Sequence, residues 1–148
     1  MALNRMVLIL LLGALAGSAN AQGVPTVPTE VSGVLAGGYW TSGAQEGSYR
    51  IIIVSGGFEH IVSQVFLQWL SQPTSPNDSV VVLSTVELEA ISAGGWQATN
   101  PQFELKNKKW EATIASSNSH TDPISSTRWR LTLGPPGSYS IATEAFKP

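Results

Sequence analysis

Cysteine is absent from the chain, which excludes disulfide staples, thiolate metal sites, a cysteine nucleophile and an N-terminal lipoprotein anchor. Charge is scarce. Asp, Glu, Lys and Arg supply 12% of 148 residues, about half the ~25% of an ordinary soluble chain. The formal net charge is −2 and no basic run exceeds Lys108-Lys109, so a nucleic-acid groove is not expected. Histidine occurs only at His60 and His120. One further carboxylate, as in His120-x-Asp122, does not complete a zinc site, so no metal and no cofactor are expected. Past residue 30 there is no apolar stretch of the ~20 residues a membrane helix needs. Nor is there an apolar stripe at i, i+3, i+4, i+7 that survives its Gly and Pro breaks.

The beginning of the chain is different in kind. Arg5 precedes an apolar stretch over residues 6–15, MVLILLLGAL, which is too short to span a bilayer. Ala19-Asn20-Ala21 has the small-x-small form of a cleavage site. Residues 1–21 therefore read as a cleaved secretory signal peptide, with the mature chain starting at Gln22 and no membrane span after cleavage. Removing 21 of 148 residues leaves 127, the size of one domain. An exported, cysteine-free chain fits a bacterial periplasmic or secreted protein. Residues 22–33, with Pro25 and Pro28, are expected as an extended lead-in to a single all-β domain over residues 34–148.

Within that domain Val, Ile, Thr, Trp and Tyr are dense and alternate with polar residues, the signature of half-buried strands. Eight strands are expected, near residues 34–41, 47–55, 58–71, 79–91, 96–105, 109–116, 127–133 and 138–143. Their short connections imply antiparallel neighbours, hence a meander folded into a sandwich or closed into a small barrel. Two registers follow from turn arithmetic. A two-residue turn at Asn107-Lys108 pairs Leu105 with Trp110 and Phe103 with Ala112, leaving Glu104, Lys106, Lys109 and Glu111 on the solvated side. A two-residue turn at Gly56-Gly57 pairs Ser55 with Phe58, Ile53 with His60 and Ile51 with Val62. The triplets Gly37-Gly38-Tyr39, Gly56-Gly57-Phe58 and Gly94-Gly95-Trp96 are expected as three turns, each followed by a strand-opening aromatic.

On the second register, one face of the long hairpin carries Ile52, Val54, Ile61, Val65, Leu67 and Trp69. The other carries Tyr49, Ile51, Ile53, His60, Val62, Gln64, Phe66 and Gln68. This second face combines apolar area with hydrogen-bonding tips, a composition suited to a ligand cleft or a protein interface. Its candidate binding residues are Tyr49, His60, Gln64, Phe66 and Gln68. Trp40 and Trp96, beside Gly pairs near strand ends, are candidates for an exposed aromatic platform. Trp69, Trp110 and Trp129 follow core alternation.

Catalytic sets are thin. No serine sits in a Gly-x-Ser-x-Gly elbow. Glu87-x-Glu89 would place two carboxylates on one strand face, and His120 with Asp122 could form a base and its orienter. The expectation is a non-enzymatic exported module that binds a small ligand or an exported protein partner. The alternative is an assembly protein that docks a partner, or a second copy of itself, through a sheet edge. A small hydrolase is the third reading.

Overall fold

In a computed structural model of the chain, described for residues 27–145 apart from Asp122, eight strands form two antiparallel sheets of four. Sheet A has the order β1 (Val31–Ser42), β2 (Gln45–Gly56), β3 (Val62–Ser71) and β4 (Val82–Glu87). A four-residue helix, α1 (Glu89–Ser92), leads to sheet B. Sheet B runs β5 (Gln97–Lys106), β6 (Lys109–Asn118), β7 (Ser125–Leu133) and β8 (Tyr139–Ala145). The chain is thus two successive meanders with all neighbours consecutive in sequence. Neither sheet closes on itself, which decides for a sandwich over a barrel. The expected signal peptide and the start of the expected lead-in, through residue 26, lie outside the described residues, as does Asp122.

The core lies between the two inner faces. Sheet A contributes Tyr49, Ile51, Ile53, Val65, Leu67 and Trp69; sheet B contributes Ala112, Ile114, Trp129, Leu131 and Leu133. These sets have period two along each strand, the spacing that sends alternate side chains to one face. Polar stitches join the sheets. Ser63 is buried on β3, where its hydroxyl accepts the Ala98 N–H at 3.0 Å and its own N–H donates to the Trp96 carbonyl at 2.8 Å. At the opposite end Tyr49 Oη and Trp69 Nε1 both donate to the Gly134 carbonyl in the β7–β8 turn.

The β5–β6 hairpin has the expected register: Lys106 opposite Lys109, Leu105 opposite Trp110, Phe103 opposite Ala112. Asn107 and Lys108 have φ of 47° and 64°, the left-handed pair that matches strand twist in a two-residue turn. Glu111 on its outer face is held by Arg130, with Oε2 to Nε at 3.7 Å, and Arg130 Nη2 reaches Glu144 at 2.7 Å.

The β2–β3 hairpin has a different register from the one expected. Gly56 pairs with Val62 and Ser55 with Ser63, so residues 57–61 form a five-residue loop instead of a two-residue turn. The shift is odd in number. It exchanges the faces of β3 relative to β2. Tyr49, Ile51 and Ile53 therefore join Val65, Leu67 and Trp69 in the core, while Ile52 and Val54 join Gln64, Phe66 and Gln68 outside. Burial decides the matter: the observed register brings two wholly apolar rows to one face, whereas the expected one splits them.

Two further expectations are corrected. Gly37-Gly38-Tyr39 is not a turn but a bulge inside β1, where pairing with β2 jumps between Gly37 and Trp40 and Gly38 has φ 63°. A side chain at either glycine would meet Phe103, Trp110 or Tyr49, so the bulge lets sheet B's aromatics lie against β1. The expected strand over residues 79–91 is shorter, ending at Glu87. Leu88 and Ile91, three apart, are both buried, which a helical turn allows and strand alternation forbids.

Candidate functional site

The outer face of sheet A, opposite the core, is where the expected site survives in part. Register places Val34, Ile52 and Phe66 in one cross-strand row that ends on Glu87. The next row is Ala36, Arg50, Gln68 and Thr85. In that row Arg50 Nε and Nη2 donate to Gln68 Oε1 at 2.8 and 2.6 Å, and Gln68 Nε2 donates to Thr85 Oγ1 at 3.1 Å. On the other side of Phe66, Gln64 Nε2 approaches Glu87 Oε1 at 3.5 Å. Ile52, Val54 and Phe66 are half-buried, and Val34 is 56% exposed. An apolar strip therefore runs between two hydrogen-bonded polar borders. Arg50, Ile52 and Val54 belong to this face only on the observed hairpin register, and Thr85 and Glu87 reach it from β4.

Gln64, Phe66 and Gln68 are the three candidates the fold keeps together. Tyr49 is a core residue, 2% exposed, whose burial pushes its phenol up to about 12. Trp40 is likewise buried at 3%, with Nε1 donating to the Ser48 carbonyl at 3.2 Å. Trp96 packs edge-on against Trp129, ring centroids 5.8 Å apart, and is partly covered by the core. Neither tryptophan forms an exposed platform.

His60 lies in the five-residue loop, away from the sheet face. Its ring lies against His120, with centroids 4.2 Å apart, and its Nδ1 is 3.3 Å from Ser119 Oγ. The chain's two histidines thus meet at one end of the sandwich across 59 residues of sequence, a proximity that no local spacing signals. Among the described residues no group of three His, Cys, Asp or Glu side chains comes together. Glu87 and Glu89 do not share a strand face, since β4 stops at Glu87 and Glu89 opens α1.

Concavities elsewhere include two of different lining. One, of about 190 Å³, lies at the end of the sandwich bearing the Asn107-Lys108 turn. Tyr39 and Trp110 form its walls, their rings edge to face at 5.8 Å, with Trp40 and Tyr49 beneath and Lys108 and Lys109 at the side. The other, of about 350 Å³, lies beside a chain of serine hydroxyls, Ser32 to Ser55 at 2.8 Å and Ser55 to Ser63 at 3.0 Å. No helix among the described residues is long and apolar enough to cross a membrane. No family model matches this chain, and no curated protein or solved structure matches it significantly.

Proposed function

We propose that the chain is an exported, non-catalytic β-sandwich module that docks a protein partner through the outer face of sheet A. The observation that carries this reading is the strip Val34–Ile52–Phe66 held open between the Arg50–Gln68–Thr85 ladder and the Gln64–Glu87 pair. Apolar area gives affinity and the flanking amides give orientation, the anatomy of a protein interface. Neither concavity described above is lined by Gln64, Phe66 or Gln68. A flat face of this kind suits a protein surface better than a small ligand. Gln64 and Gln68 stand four residues apart on one strand, roughly 13 Å, enough for several contacts along a partner strand.

The test pairs stability with capture. Gln64→Ala, Gln68→Ala and Phe66→Ala are compared with the parent for melting temperature and for partner recovery from an exported-protein extract. Docking predicts weakened recovery at nearly unchanged melting temperature. Unchanged recovery with lowered melting temperature would assign this face a purely structural role.

A second reading, assembly through a sheet edge, is favoured by one observation. β4 is an edge strand, and Val80, Val81, Val82 and Leu83 beside or within it are 42–56% exposed. Such an edge is a template for strand addition, including by a second copy. A concentration-dependent increase in mass by light scattering, abolished by Val82→Lys, would support it. A monomer at all concentrations would end it.

A further inference from the structure

The cleft between Tyr39 and Trp110 has a composition that neither the core nor the docking face explains. Tyr39 is 60% exposed and lies in the β1 bulge, where it has no cross-strand partner on β2. Its ring meets Trp110 edge to face at 5.8 Å, so the two aromatic surfaces form a corner and not a parallel slot. Lys108 and Lys109 line the same cleft, and no carboxylate does. The neighbouring Lys106 is paired with Glu104 at 3.0 Å, whereas Lys108 and Lys109 have no ion pair among the described residues. Two unneutralised ammonium groups therefore flank an aromatic corner in a chain whose formal net charge is −2. Finally, Trp110 Nε1 is buried and lacks an acceptor among the described residues. That nitrogen is closed to solvent, so the polar handles the cleft offers are the two lysines and the Thr41 hydroxyl.

We propose that this cleft binds one acidic sugar ring, a pyranose carrying a carboxylate. Its size matches one ring at the aromatic corner, about 190 Å³, and a further concavity of about 450 Å³ adjoins it through Lys109, Leu133, Gly134 and Pro135. The corner geometry selects the kind of ring. A pyranose is thick, and its axial C–H bonds present partial positive charge to the negative face of an aromatic ring. A planar aromatic acid would instead call for a parallel slot. The hydroxyl of Thr41 in the lining matches ring hydroxyls, and the two lysines match the carboxylate. The floor is rigid before binding, because Tyr49 and Trp69 tie the Gly134 carbonyl of the adjoining turn at 3.1 and 2.9 Å.

The experiment titrates the protein with glucuronic acid, glucose and benzoate, reading tryptophan fluorescence and heat. Glucuronic acid is expected to bind at least tenfold tighter than glucose at low salt, with the preference shrinking as ionic strength rises. Lys108→Ala with Lys109→Ala should bring glucuronic acid down to the glucose level, and Tyr39→Ala should weaken both sugars. All three side chains are at the surface, so melting temperatures of these variants should stay near the parent's, and Gln64→Ala should leave sugar binding unchanged. Equal affinity for glucose and glucuronic acid, or a double-lysine variant that binds like the parent, would overturn the proposal. Benzoate binding in preference to glucuronic acid would also overturn it, in favour of a planar aromatic acid.

Discussion

Tyr49 and Trp69, directly opposite each other on β2 and β3, donate to a single acceptor, the carbonyl oxygen of Gly134, at 3.1 and 2.9 Å. Their rings meet edge to face at 6.2 Å, so each fixes the other's aim. The pair ties one end of sheet A's two central strands to the β7–β8 turn of sheet B.

Tyr49→Phe should lose about 1 kcal/mol in urea titration, the usual net value of one hydrogen bond, because Trp69 still serves the carbonyl. The same variant should change the alkaline limb of stability. Burial raises the Tyr49 phenol from 10.0 to about 12, so the folded state favours the neutral form. That contribution is complete below pH 10 and is lost as pH rises towards 12. The Phe variant should lack this part of the decline, measured as melting temperature between pH 9 and pH 12.

The β1 bulge predicts a contrast between glycines. At Gly38 a Cβ would lie 3.0 Å from Trp110 and 3.1 Å from Tyr49, on a backbone with φ 63°. Gly38→Ala should therefore cost at least about 2 kcal/mol, from left-handed strain of roughly 1–2 kcal/mol plus the forced shift of two rings. Gly47→Ala should be worse, because its Cβ would fall on the Leu70 carbonyl oxygen. Gly56→Ala meets nothing within 4 Å and should stay within about 0.5 kcal/mol of the parent.

On the β5–β6 hairpin, neighbouring residues face opposite environments. Trp110→Ala removes a ring packed against the core and should cost about 3 kcal/mol or more. Glu111→Ala should cost under about 1 kcal/mol, since Arg130 keeps its 2.7 Å bond to Glu144. Equal losses in urea titration would contradict the observed register.

The loop between β3 and β4 should loosen in acid. Asp78 Oδ2 accepts from the Thr74 hydroxyl at 2.7 Å and from the Thr74 and Ser75 N–H groups at 3.0 and 2.9 Å. These bonds, the Thr74 side chain's foremost, hold the carboxyl below its ordinary 3.8. A depressed folded value means the contribution is complete above 3.8 and disappears as pH falls below it. Protection factors of the Thr74 and Ser75 amides, relative to their intrinsic exchange rates, should fall selectively at low pH, and Asp78→Ala should show the low protection already at pH 6.

That the domain is built of antiparallel strands was legible in the sequence because alternation is a local signal, whereas the split into two sheets of four, with β4 and β5 not paired to each other, was not, because packing decides it. The Asn107-Lys108 register was legible because it too is local: the turn itself sets the pairing, and the apolar residues then fall on one side. The Gly56-Gly57 stretch permits two registers of nearly equal local quality. Only contact with sheet B chooses between them, since it rewards the one that buries Tyr49, Ile51 and Ile53 together with Val65, Leu67 and Trp69. That choice moved Tyr49 from the candidate face to the core and brought Arg50 and Ile52 out beside Gln68 and Phe66. The approach of His60 to His120, and the corner that Tyr39 makes with Trp110, likewise arise only when one sheet is laid on the other. Side chains so distant in sequence share no period or turn, so their proximity is a property of packing alone.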